Sequence, residues 1–112
     1  MQQDRARNHL AAIRRDLTRL TDLEPSWFDD TFLPDDRVGY RAEWENTLDR
    51  FSAVVQAHAA GQLDRHVATE LAEVARTLAA FVPSLDRMKL RQPSPDDLRL
   101  LVDFLGHEMA VL

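Results

Sequence analysis

Two histidines and a glutamate are the residues of this chain best suited, by type and spacing, to hold a metal ion. His66 and Glu70 are four residues apart, so a helix would place them on one face. A turn at Gly61 would bring His58 close to them, and imidazole with carboxylate suits zinc or iron. The same spacing is typical of a surface pair. A metal- or small-ligand-binding helical bundle using His58, His66 and Glu70 is therefore an alternative function, and no cofactor is expected.

Residue patterns typical of catalysis are missing from the sequence. The chain has no cysteine, and none of its serines lies in a Gly-x-Ser-x-Gly elbow. It has no glycine-rich loop that would cradle a phosphate. Its paired aspartates are adjacent in sequence and belong to caps and turns, where water solvates them, which does not suit a general acid. We therefore expect that the protein is not an enzyme.

The most unusual segment is a connector, residues 23–36, that combines acidic and aromatic side chains. It contains five acids and no base, and prolines stand at positions 25 and 34. Aromatic anchors surrounded by charge suit a partner surface. In the alternative arrangement, the rings pack under the helices and the acids face water. The two arrangements are compatible if one ring is left exposed. The expected partner-binding residues are Trp27, Phe28, Asp29, Asp30, Phe32, Asp35 and Asp36.

Arginines are concentrated in the first 22 residues, where five arginines accompany three aspartates. A basic strip containing Arg7, Arg14 and Arg15 makes nucleic-acid binding through the Arg-rich first helix another alternative. A single helix of modest charge more often faces solvent, with its charged side chains in ion pairs. The net charge of −5 over the whole chain also disfavours nucleic acid as a partner.

Apolar residues recur with helical spacing along most of the chain, which predicts an all-α protein. Gly61 is a natural left-handed cap, so the second and third helices should form an antiparallel hairpin. Ser94 and Pro95 fit the N-cap and first position of a fourth helix. A short helical turn is expected between Pro25 and Pro34. The four predicted helices cover about residues 2–22, 37–60, 62–90 and 95–110.

The third predicted helix has the widest apolar face, because a stripe of alanines runs beside its leucine-rich seam. We therefore predict an antiparallel helical bundle of about four helices, with the third helix central. Pro83 should kink this helix, and a break with a new start at Ser84 is the alternative. A looser helical fold, or a helical hairpin completed by a second copy, would also bury these stripes. A homodimer is the commonest such assembly.

Length and composition complete the prediction. The 112 residues suit one helical-bundle domain over 1–112, and the absence of cysteine excludes a disulfide scaffold. No apolar run is long enough for a membrane span, and no signal peptide is recognisable, so a cytoplasmic location is expected. The predicted function is a small acidic protein-binding module, acting on another protein through the connector. An inhibitor or immunity-type protein and an adaptor or assembly subunit both fit.

Overall fold

The computed structural model describes residues 1–29 and 34–99, and every regular element in these two ranges is helical. This confirms the predicted all-α class. Residues 95–99 are also helical, which agrees with the predicted start at Pro95, and the rest of that helix lies outside the described residues. The elements with full bounds are helix α1 (Gln3–Leu23), a 3₁₀ helix (Glu24–Ser26), helix α2 (Pro34–Ala59) and helix α3 (Arg65–Met88).

Helix α2 begins three residues earlier than the sequence pattern predicted, at Pro34 instead of Arg37. Proline suits the first helical position because its missing N–H has no intrahelical partner there and its φ is already helical. Asp35 and Asp36 therefore lie in the first turn of α2, where the helix dipole stabilises negative charge. Two acids that were assigned to the connector thus belong to a helix.

The turn between α2 and α3 contains Gly61 in the left-handed region, with φ of 71°, as its position predicted. Helix α3 begins at Arg65 and not at 62, because the Asp64 carboxylate accepts a hydrogen bond from the Val67 N–H at 2.8 Å and caps the helix. Gln3 of α1 ties this turn down, since its side chain accepts a bond from the Asp64 N–H at 2.9 Å.

Helix α3 continues through Pro83, so the alternative of a break at Ser84 is wrong, and the kink stays a prediction. The helix ends in a Schellman arrangement in which the Leu90 N–H donates to the Leu85 carbonyl at 2.9 Å. The residue in left-handed conformation at this end is Lys89, with φ of 56°. An L-residue with a side chain pays about 1 kcal/mol for that conformation, which glycine avoids.

The apolar stripes read from the sequence form the core. Four α1 residues, four α2 residues and most of the α3 seam are buried, whereas Phe81 is partly exposed and His58 is half-buried. The alanine stripe is buried up to Ala75 and exposed at Ala79. The buried stripe residues are Leu10, Ile13, Leu17, Leu20, Trp44, Leu48, Phe51, Val55, Val67, Leu71, Val74, Leu78, Leu85 and Met88.

Helix α1 packs against both α2 and α3, and the contact between α2 and α3 is smaller. The predicted central position of the third helix depends on a fourth helix that is mostly outside the described residues. That position and the four-helix bundle therefore stay predictions. None of the helices in residues 1–29 and 34–99 has an apolar stretch that could cross a bilayer.

Candidate functional site

Trp27 anchors the connector to the core. Its side chain is 2% exposed, and its ring meets that of Tyr40 edge to face, with 5.6 Å between centroids and 66° between planes. The 3₁₀ helix brings the ring into this position directly after α1, since the Trp27 N–H donates to the Glu24 carbonyl at 3.2 Å. Trp27 was predicted to bind a partner. Its burial makes it part of the core, and its role in binding a partner stays a prediction.

Arg37 fixes the turn that follows Trp27. Its Nε donates to the Trp27 carbonyl at 2.8 Å, and an Nη donates to the Asp29 carbonyl at 3.3 Å. The Asp29 N–H in turn donates to the Ser26 carbonyl at 3.0 Å. A charged side chain of α2 therefore holds residues 27–29 in one geometry, which we call the connector turn.

Phe28 stands on the outside of the connector turn. It is 64% exposed although it follows a buried tryptophan, and Val38 is the other large apolar side chain that the described residues leave exposed. Full burial of such a side chain stabilises by roughly 1.5–3 kcal/mol. Burial of Phe28 by a partner would therefore stabilise the complex, because folding of this chain alone does not bury this side chain.

Two grooves lie beside the first turns of α2, and their charges have opposite sign. The acidic groove, about 350 Å³, is lined by Asp35, Asp36 and Glu43, together with Arg19 and Tyr40. The basic groove, about 230 Å³, is lined by Trp27, Phe28, Met88 and four cationic side chains. Helical spacing separates the two, because residues 36, 40 and 43 share one face of α2 and residues 37 and 41 share another. The four cationic residues of the basic groove are Arg37, Arg41, Arg87 and Lys89.

The acidic groove contains a cation of its own. An Arg19 Nη lies 2.8 Å from a Glu43 carboxylate oxygen, and the guanidinium sits 5.5 Å from the centre of the Tyr40 ring. The Tyr40 hydroxyl is buried without a hydrogen-bond partner among the described residues. Burial raises the pKa of Tyr40 to about 12, so the phenol stays neutral near pH 7. Arg19 thus balances part of the negative charge in this groove.

Only part of the positive charge in the basic groove is balanced. An Arg87 Nη lies 2.7 Å from a Glu24 carboxylate oxygen, and this hydrogen bond holds the pKa of Glu24 below its ordinary value of 4.5. Arg41 and Lys89 have no ion pair within residues 1–29 and 34–99. Two exposed cations therefore remain beside Phe28.

The other predicted contact residues are divided by the structure. Asp29, Asp35 and Asp36 are exposed, as a contact surface requires, whereas Asp30 and Phe32 lie outside the described residues. The sequence interpretation missed the basic groove. Arg37 and Arg41 are four residues apart, which is a visible signal once α2 is known to begin at Pro34. Nothing in the sequence indicates that the end of α3 comes beside them.

The metal-binding alternative is not supported by the described residues. His66 is exposed, His58 and Glu70 are half-buried, and no group of three or more metal-ligating side chains is found in the part of the chain that the structure describes. The three residues therefore do not form one site.

The arginines of α1 are partly engaged with the other helices. Arg14 pairs with Glu73 of α3 at 3.3 Å, and Arg19 pairs with Glu43 of α2. Desolvation, with the nearby charges of Arg5 and Arg50, lowers the pKa of His9 below 6.5. Arg7 and Arg15 are exposed. The predicted basic strip is thus interrupted by one ion pair, at Arg14, which weakens the nucleic-acid alternative.

No protein-family model, curated protein or solved structure that was compared with this chain matches it.

Proposed function

We propose that this chain is a non-catalytic protein-binding module whose contact surface is the connector turn, with Phe28 at its centre. The observation that carries the proposal is a large aromatic side chain, 64% exposed, on a turn that Trp27 and Arg37 hold in place. Aromatic anchors are over-represented among the residues that dominate binding energy. A turn that is fixed before binding loses little conformational entropy on association, so the interaction of Phe28 is retained as affinity.

The exposed acids around the turn support the same proposal. Asp29 is part of the connector turn, and Asp35 and Asp36 follow on the first turn of α2. Charges at the rim of an interface chiefly raise the rate of association and exclude wrong partners. Asp35 and Asp36 also stabilise the start of α2, so their binding role must be separated from their structural role by measuring both. Asp30 and Phe32 remain in the proposed surface as sequence predictions.

An inhibitor or immunity-type protein and an adaptor or assembly subunit both use a surface of this kind. They differ in consequence, because an inhibitor abolishes the activity of its partner and an adaptor holds two proteins together. Location in the cytoplasm and the lack of catalytic activity belong to the proposal as predictions.

Capture of partners from extract of the native cell tests the proposal. The immobilised chain is compared with Phe28→Ala and with Asn46→Ala, an exposed substitution on α2. We expect Phe28→Ala to lower recovery of the specific partner by at least about tenfold, as for a residue that dominates an interface, and Asn46→Ala to leave it unchanged. Equal thermal unfolding of the three proteins excludes a folding defect. Equal recovery by all three would remove Phe28 from the function.

A homodimer remains a separate prediction, and a third groove supports it. A groove of about 360 Å³ runs between α1 and α3, with Leu17, Val74 and Phe81 among its lining residues. Sedimentation at two protein concentrations measures the oligomeric state. Phe81→Ser is expected to favour the monomer if a second copy covers this groove.

A further inference from the structure

The basic groove is unexpected in a chain whose formal net charge is −5. Four cationic side chains line it, and they come from two separate parts of the fold. Arg37 and Arg41 belong to the start of α2, whereas Arg87 and Lys89 belong to the end of α3. Phe28 reaches the same groove from the connector turn. Packing of the helices therefore places four cationic side chains around the groove that the exposed Phe28 lines.

Lys89 adds an independent sign that this groove has a role. It is the one residue other than glycine with positive φ in the described ranges. Glycine or asparagine would fit this helix end with less strain. Strained backbone positions cluster at functional sites, where another requirement outweighs their cost. Lysine at this position adds a cationic side chain to the lining of the groove that also contains Phe28 and Arg41.

The size of the groove indicates what it accepts. Sites for small molecules typically enclose roughly 300–1,000 Å³, so this open groove of about 230 Å³ is smaller than such a site. It has room for a side chain or two of an extended segment. Phe28 and Met88 offer apolar contact, and the cationic side chains surround that contact.

We propose that the basic groove binds an acidic segment of the partner protein, with an apolar side chain against Phe28 and carboxylates beside Arg41 and Lys89. The inference rests on the proposed function and adds the charge of the partner at this surface. Glu24 already balances Arg87, and Arg37 is engaged with the connector turn. Arg41 and Lys89 are therefore the cations that supply charge complementarity.

The charge proposed for this segment is opposite to the positive charge that the acids of the connector would attract. The acidic groove faces the other side of α2 and holds Arg19 within it. Phe28 belongs to the basic groove. The segment that covers Phe28 is therefore expected to carry negative charge, whereas Asp35 and Asp36 line the other groove.

Titration followed by amide NMR tests the inference with a defined probe. The folded chain is titrated with the synthetic peptide EEEFEEE, and then with EEEAEEE, KKKFKKK and a short oligothymidylate. The groove variant combines Arg41→Gln with Lys89→Asn, since asparagine tolerates the left-handed conformation. The matched control combines Arg7→Gln with Arg76→Gln. These substitutions remove the same amount of charge from two exposed positions on α1 and α3, away from the groove.

We expect EEEFEEE to shift the amides of Phe28, Arg41 and Lys89 first and to bind more tightly than EEEAEEE. The groove variant should bind it about tenfold more weakly, because two exposed ion pairs with the peptide are lost, and the control should match the unmodified chain. Equal weakening in both variants, shifts away from the groove, or tighter binding of KKKFKKK would overturn the inference. Preferential binding of oligothymidylate in the groove would identify nucleic acid as the occupant and would also overturn it.

The partner-capture experiment distinguishes this failure from failure of the proposed function. Capture that depends on Phe28 but is equal for the groove variant and its control would reject the acidic segment and leave protein binding through Phe28 intact. Capture that does not depend on Phe28 rejects the proposed function itself.

Discussion

Trp27 and Phe28 are adjacent aromatic residues with opposite surroundings. Both residues line the basic groove, but Trp27 is 2% exposed and packs on Tyr40, whereas Phe28 is 64% exposed. Trp27 has helical backbone angles, with φ of −58° and ψ of −35°, and successive side chains in such a backbone point about 100° apart. The two adjacent rings therefore point in different directions, and only that of Trp27 is buried in the core. The connector therefore has a structural side, at Trp27, and an exposed side, at Phe28.

The largest expected effect on stability comes from removing the buried ring of Trp27. Trp27→Ala should lower the free energy of unfolding by about 3–5 kcal/mol, because it leaves a cavity against Tyr40. Phe28→Ala should change it by no more than about 0.5 kcal/mol, as for exposed substitutions. Chemical denaturation of both variants and the unmodified chain measures the difference. Similar losses in the two variants would show that both rings are structural.

A smaller effect is expected from the residue that connects the two sides. Arg37→Ala removes the hydrogen bonds to the Trp27 and Asp29 carbonyls, so stability should fall by about 1 kcal/mol. Arg41→Ala, four residues later on the exposed surface of α2, is the matched control and should have little effect on stability. Amide NMR should show altered shifts at residues 27–29 only for Arg37→Ala. Unchanged shifts there would mean that the turn does not depend on Arg37.

Tyr40→Phe should act in the opposite direction. The Tyr40 hydroxyl is buried with no hydrogen-bond partner among the described residues, and an unsatisfied buried polar group is destabilising. Removing it while keeping the ring against Trp27 should leave stability unchanged or raise it by up to about 1 kcal/mol. Equilibrium unfolding at pH 7 measures the change. A clear loss would show that the hydroxyl has a partner in solution.

The smallest effect concerns pH and the rim of the basic groove. The hydrogen bond from Arg87 lowers the pKa of Glu24 in the folded chain below its ordinary 4.5. Its stabilisation is therefore present above that value and is lost as pH falls through the lowered pKa. Glu24→Gln should be less stable than the unmodified chain at pH 7, by no more than about 1 kcal/mol because the pair is exposed, and equally stable at low pH. A stability difference that is independent of pH would contradict this origin.

The helices and their buried faces could be predicted because helical periodicity is a local property of the sequence. The stripe of α1, the left-handed Gly61 and the position of Ser94 before a helix all agree with the structure. The start of α3 was placed too early although Asp64 carries a visible capping signal. The start of α2 was placed too late because Pro34 was interpreted as a boundary of the connector and not as a first helical residue.

The candidate site was predicted only in part, because burial and charge at this surface depend on tertiary packing. The connector was identified from its composition, but the pattern of residues 27 and 28 does not say which ring is buried. The basic groove needs the end of α3 beside the start of α2, and those residues are about fifty positions apart in the sequence. Local reasoning therefore found the acids of this surface and missed the cations that line the groove at Phe28.

Photocrosslinking in the native cell tests the central claim most directly, that Phe28 is displayed for another protein. A photoreactive phenylalanine derivative is placed at position 28 and, as a control, at position 46 on the exposed surface of α2. We expect one predominant adduct with a different protein from position 28, and none with that protein from position 46. Equal adducts from both positions, an adduct with a second copy of the chain, or no adduct from position 28 would contradict it.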